Sequence, residues 1–247
     1  MTNIQAPAEI TALLDRNNKV IIDWSPKAGC TIMVKMFFRN MGLLEEALNY
    51  NSWIHEYRMH VFSKTHPITI EDLKNPEYYK IKFVRNPYHR VVSGYLHTMK
   101  YEVMHKPVKD ALWRWNANIS FKSFIKYLSK IDLHTCDPHY SLQKKFFEYE
   151  LPGCFNKIIK LENLNEEIDT LNKTRGLTFD LSGLTSNHHL EKNHQLTQNV
   201  STVKWNKFKD DIPWYTNFYD KSLAGKVYDL YKEDFEAYGY SRDAYTI

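Results

Sequence analysis

The sequence predicts an α/β fold in which a central parallel β-sheet is flanked by helices. Short β-branched or aromatic runs alternate along the chain with stretches whose apolar residues recur every three or four positions, the pattern of strands joined by helical crossovers. No repeat, low-complexity tract or Pro/Gly/Ser linker interrupts that alternation. A chain of 247 residues, 43% hydrophobic and 15% aromatic, also has enough apolar surface for a substantial core. One domain over residues 1–247 is therefore expected.

Taken in order, the first strand is Lys19 to Trp24, whose β-branched and aromatic residues end at a small-residue turn. A helix follows over Thr31 to Met41. Arg58 to Ser63, with Val61 and Phe62, reads as a second strand, and Tyr79 to Arg85 as a third, closed by Asn86-Pro87. Helical spacing returns over Tyr88 to Tyr101 and Phe121 to Ile131. The last strand is Asn156 to Leu161, and helices follow over Asn165 to Asn172 and Asp220 to Ala237. The polar stretch Ser182 to Asn199 between them reads as a long loop. The motifs below divide this order into a ligand-binding core over about 19–101 and a remainder, with the C-terminal elements, over about 102–247.

The charge balance, 33 basic against 29 acidic residues for a net +4, is too weak and too dispersed for a nucleic-acid binder and suits a small anionic ligand. The N-terminal stretch has no basic segment followed by an apolar core, and no run approaches the roughly 18 apolar residues of a membrane span. Cys30, Cys136 and Cys154 are an odd count without CxxC spacing, so reduced thiols and a cytoplasmic location are expected.

The turn "PKAGCT", Pro26 to Thr31, leaves the carboxyl end of the first strand, where a parallel sheet opens its ligand crevice and the next helix presents unpaired N–H groups. Such a terminus binds phosphate. Ala28, Gly29 and Cys30 are small enough for the backbone to wrap an anion, Lys27 supplies a point charge, and Thr31 adds a hydroxyl. Taken alone, the turn reads first as an ordinary strand-to-helix connection with an exposed lysine, and a second motif has to decide. It is not G-x-x-x-x-G-K-[ST], because it holds one glycine and its lysine comes early, so phosphoryl transfer of the usual kind has little support. A small-molecule kinase and a non-catalytic nucleotide-binding module are the other readings of the turn.

"FVRNPYHRVVSGY" repeats the arrangement. Arg85 ends a strand and Ser93 lies two turns into the next helix, so the two can converge on a second anion. Together the two stretches resemble the sulfotransferases that use 3′-phosphoadenosine 5′-phosphosulfate (PAPS), in the form typical of the carbohydrate sulfotransferase branch. "DPHYSLQ", "IIKLENL" and "LYKEDFEAYGY" are similar to further segments of that branch, in the same order, so the likeness runs from about Val20 to Tyr240. The resemblance implies a P-loop-like sulfotransferase fold and transfer without a metal. It further implies that Lys27 stabilises the leaving phosphate, that Pro26 to Thr31 hold the 5′-phosphosulfate, and that Arg85 and Ser93 bind the 3′-phosphate.

"VFSKTHPI" resembles the K-[TS]-H-x-P stretch of the cytosolic small-molecule sulfotransferases, which implies His66 as general base and Lys64 beside the transferring group. An unperturbed imidazole titrates near 6.5, which suits that work. His139 reads as a structural or acceptor-side residue, and His188, His189 and His194 as a solvated loop rather than a metal cluster. Tyr101, Trp113 and Trp115 are candidates for lining an acceptor pocket, and Trp205 and Trp214 for closing over the nucleotide, with core packing as the equal alternative. The expected acceptor is a small soluble molecule, a natural product or a sugar.

Overall fold

The computed structural model describes residues 10–112, 118–186 and 192–246. Its strands are β1 (Leu13–Asp15), β2 (Val20–Trp24), β3 (Tyr79–Val84) and β4 (Lys157–Lys160). The α-helices are α1 (Cys30–Asn40), α2 (Leu44–Tyr50), α3 (Ile54–Tyr57), α4 (Ser63–Thr65), α5 (Ile70–Lys74), α6 (Pro87–Lys100), α7 (His105–Leu112), α8 (Phe121–Leu128), α9 (Phe146–Glu150), α10 (Leu164–Arg175), α11 (Lys221–Leu230) and α12 (Lys232–Tyr238). Contacts divide the chain into two compact units, Met1–Val84 with Lys145–Asn187, and Arg85–Lys144 with His188–Ile247.

The first unit contains the sheet, in the order β1-β2-β3-β4. β2, β3 and β4 run parallel, as the alternation of strands and helices predicts, and β1 pairs antiparallel with β2, so the sheet is mixed. β1 is too short to show a period in sequence. The turn after it holds it in register, because the Asp15 carboxylate accepts the Asn17 and Asn18 amides, each at 3.0 Å.

Strand alternation sends Val20, Ile22, Trp24, Ile81, Phe83 and Ile159 to one face, where they pack with Met33, Phe37 and Phe38 of α1 and with Ile168 and Leu171 of α10. Each such side chain contributes about 1.5–3 kcal/mol of burial. The other face packs Leu14 and Ile21 on Leu73 and Phe147, and it also buries charge. Asp23 and Lys82, opposite each other on β2 and β3, are fully buried and ion-paired at 3.3 Å; Lys82 also donates to Glu148, and Lys145 to Asp23.

Arg58 to Ser63, expected as a strand, is helical: a π-helical turn, Arg58–Phe62, joins α3 to α4. Its aromatic residues serve helix packing rather than a ladder. Phe38 meets Tyr57 at 5.4 Å and Phe62 at 5.1 Å between ring centres, and the wider π turn brings these two residues, five apart, onto one face. The Asp220–Ala237 stretch likewise divides at Tyr231 into α11 and α12, and α11 is capped by the Asp220 carboxylate, which accepts from the Leu223 amide at 2.7 Å.

The second unit is built on α6. Tyr88, Val91, Val92, Tyr95 and Leu96 pack against Phe121, Phe124 and Leu128 of α8 and Leu223 and Val227 of α11. Arg90 is buried among them, and its guanidinium donates to the carbonyls of Pro138 and Ser141. No helix among the described residues is long and apolar enough to cross a membrane.

Candidate active site

In the first unit, the turn after β2 is a main-chain anion cradle. Ala28 N–H closes it onto the Ser25 carbonyl at 3.1 Å, and Gly29 is the N-cap of α1, its carbonyl accepting from Ile32 and Met33. No side chain caps α1 and no acidic residue lies in its first turn. The amides of Gly29, Cys30 and Thr31 have no acceptor among the described residues. Three aligned donors at a positive helix end attract an anion. Lys27 sits at φ 71, a left-handed conformation that a lysine rarely adopts. That costs about 1 kcal/mol and is the kind of local strain that gathers at ligand clamps. Gly29, at φ 82, is required twice over, since a Cβ there would also come within 2.8 Å of Leu161 Cδ1. Leu161 belongs to the "IIKLENL" segment, so that motif packs under the loop.

A histidine and an arginine approach the same loop. His55 of α3 is buried, and its Nε2 lies 3.5 Å from the Thr31 hydroxyl. The Arg58 guanidinium lies over the ring of Trp24, the last residue of β2, at 5.7 Å. Neither residue was singled out in sequence, because the expected strand placed Arg58 in a ladder and hid the helical spacing that puts both on one face. His66 lies at the other end of this helical run, stacked on Phe62 at 4.3 Å with Nδ1 2.9 Å from the Thr65 hydroxyl. Lys64 is exposed nearby.

In the second unit, Arg85, His89 and Ser93 are spaced four residues apart, and His89 and Ser93 share one face of α6. Tyr215 accepts a hydrogen bond from Arg85 and lies under both its guanidinium, at 4.8 Å, and the Lys192 ammonium, at 4.4 Å. The His89 ring stacks on Tyr215 at 4.5 Å. Burial pushes the Tyr215 phenol up, but Arg85 and Lys192 outweigh it and hold the group below the ordinary tyrosine range. The Ser93 hydroxyl has no hydrogen-bond partner among the described residues.

Two of the distant motifs fix Arg85. The Gln143 side chain grips its backbone twice, accepting from Arg85 N–H at 2.9 Å and donating to its carbonyl at 2.8 Å. Asp234, fully buried, accepts from the Gln143 and Lys144 amides at 2.8–2.9 Å. The "DPHYSLQ" and "YKEDF" segments thus act as a splint for the arginine.

Burial pushes the Asp137 carboxyl up, but His139, which donates to it from Nδ1 at 2.8 Å, outweighs burial and holds it below its ordinary value; the same ring stacks on His97 at 4.1 Å. A cavity of about 520 Å³ beside Asp137 is lined by Val103, Met104, Pro107, Tyr127 and Tyr140; Tyr101 does not line it. Trp113, Trp115, His188 and His189 lie outside the described residues. His194 packs on Trp214, while Trp205 packs against the core of this unit. No cluster among the described residues has the make-up of a metal site. Cys30, Cys136 and Cys154 are unpaired, and burial pushes the Cys136 thiol to about 12 and that of Cys154 to about 11.

The model of the Sulfotransferase family matches residues 11–241. No curated protein and no solved structure matched the chain.

Proposed function

Since the chain belongs to the sulfotransferase family and is an enzyme of that kind, we propose that it moves the sulfuryl group of PAPS to a hydroxyl or nitrogen of a small acceptor, a natural product or a sugar, and releases 3′-phosphoadenosine 5′-phosphate. The observation that carries this reading is the uncapped start of α1, three open amides beside a strained Lys27. The second cluster, in which Arg85, Lys192 and His89 gather around Tyr215 with Ser93 one turn further along α6, has the charge to take a phosphate. A 3′-phosphate there would distinguish this donor from ATP.

The residues divide the work. Pro26 to Thr31 hold the 5′-phosphosulfate through main-chain N–H groups and the Thr31 hydroxyl. Lys27 neutralises the charge that grows on the bridging oxygen as the sulfur leaves it, and such positioned charge is the larger part of group-transfer catalysis. Arg85 and Ser93 bind the 3′-phosphate. The resemblance assigns the acceptor proton to His66, with Lys64 beside the transferring group. The family match over residues 11–241 supports reading the chain as one sulfotransferase domain. Unpaired thiols fit a reducing compartment, and the cytoplasm is the proposed location.

Incubation with PAPS and a panel of amine, phenol, alkaloid and sugar acceptors, followed by mass spectrometry, tests this. One sulfuryl group should appear on an acceptor, with 3′-phosphoadenosine 5′-phosphate released in equal amount. ATP with Mg²⁺ should give no transfer. Phosphorylation of any acceptor, or donor binding with no transfer across the panel, would refute it.

A further inference from the structure

Resting on the donor reading above, we propose that His55, rather than His66, is the base that takes the acceptor proton, with Arg58 beside it on the transferring group. Of the three histidines in this helical run, His55 is the one whose contact with the anion loop is seen. Its Nε2 lies 3.5 Å from the Thr31 hydroxyl, and Thr31 is in the first turn of the helix whose amides face the anion. The ring is buried, packed edge-on against Trp53 at 5.7 Å and flanked in sequence by the buried Ile54, so its orientation is set before any ligand arrives.

His66 is eleven positions further along the same helical run, 66 − 55 in the numbering. At about 1.5 Å per residue that is roughly 16 Å along the axis. Its stacking partner Phe62 packs on Phe37 and Phe38, about two turns down α1 from Thr31. The remaining histidine of the run, His60, is exposed and paired with Glu56 at 3.2 Å.

The Thr31 contact also gives His55 a means of responding to the donor. With the hydroxyl donating, Nε2 is the basic nitrogen of the ring, and 3.5 Å is a long, weak bond. A bound 5′-phosphate draws that hydroxyl to itself and leaves Nε2 open. The acceptor oxygen then bonds to sulfur while the bond from sulfur to the bridging phosphate oxygen breaks. The electron pair leaves on that oxygen beside Lys27, and the acceptor proton passes to His55 Nε2. Arg58, whose guanidinium lies over Trp24 at the end of β2, would bring its charge to the sulfuryl oxygens.

The test titrates the intact, imidazole-labelled protein with 3′-phosphoadenosine 5′-phosphate and follows histidine ring resonances by NMR, with His55→Asn and His66→Asn used for assignment. The His55 signals should move with the binding curve. PAPS consumption to 3′-phosphoadenosine 5′-phosphate should fall roughly 10²–10⁴-fold in His55→Asn, the scale of a lost general base. Nucleotide affinity should change less than about threefold, and added imidazole should restore part of the rate in His55→Gly. Full turnover in His55→Asn, or a response at His66 without one at His55, overturns the assignment and leaves the donor reading intact. Absence of nucleotide binding in the unmodified protein overturns both.

Discussion

The Lys27 loop offers an anion main-chain N–H groups at a helix start, whereas the Arg85 cluster offers side chains gathered around a tyrosine. The first needs small residues, one glycine and a strained lysine, all contiguous in the chain. The second needs an arginine splinted by Gln143 and Asp234, together with Lys192 and Tyr215 from more than a hundred residues later. A main-chain site is fixed in shape by the strand and helix that flank it, so its one charged side chain serves the reaction. A side-chain site recognises a ligand by matching charge and stacking, and its parts serve affinity. The comparison predicts that damage to the first appears in turnover and damage to the second in binding.

The largest effect should come from the scaffold beneath the loop. Lys82 is fully buried between Asp23 and the half-buried Glu148, so Lys82→Ala leaves Glu148 without this cation and the buried Asp23 with Lys145 alone. The expected loss is about 3–5 kcal/mol of stability, measured by denaturant unfolding. A loss below about 1 kcal/mol would mean that the charges are solvated and the loop has no rigid floor.

Next comes Lys27→Ala. Removing one preorganised charge from a developing oxyanion costs about 10²–10³ in kcat. Calorimetric affinity for 3′-phosphoadenosine 5′-phosphate should fall much less, because the amides remain. Equal losses in turnover and affinity would erase the distinction between the two sites. Arg85→Ala should show the opposite balance, with nucleotide affinity down about 10–100-fold, the scale of a charge-assisted hydrogen bond of about 1.5–3 kcal/mol. Gln143→Leu should weaken binding in the same direction but less, since the guanidinium survives and only its splint is lost.

The two sites also differ in how far the sequence reveals them. "PKAGCT" can be read because its chemistry is local: small residues, a lysine and a helix start are adjacent, and the structure leaves the amides open there. Arg85 and Ser93 follow from one contiguous motif. Lys192 and Tyr215 carry no local signal, since a cation and an aromatic residue in irregular segments look like any others until the fold assembles them. His55 was hidden for another reason. "RMHVFS" alternates like a strand, and the π turn that shifts its phase comes from aromatic packing on Phe37 and Phe38, a tertiary effect that overrides local period. The buried Asp23 and Lys82 defeat sequence reading in the same way, because charged residues are ordinarily at the surface.

The smallest effect probes the second site's electrostatics directly. Tyr215→Phe keeps the ring under both cations and removes the hydroxyl that bonds Arg85 and Lys192, so nucleotide affinity should change by about threefold or less. The phenol itself is the better reporter. Burial pushes its pKa up, but Arg85 and Lys192 outweigh burial and hold it below the ordinary tyrosine range. A depressed folded value means that the phenolate stabilises the protein above the unfolded value of about 10 and that this contribution fades as pH falls through the folded value. In an alkaline titration of tyrosinate absorbance, one early-ionising group should be present in the unmodified protein. It should move upward in Arg85→Ala, where burial is left with only Lys192 against it. A bound 3′-phosphate should move it the same way, because its negative charge neutralises the two cations. If Arg85→Ala shifts the titration and the nucleotide does not, the cations surround Tyr215 for the fold alone and the phosphate binds elsewhere.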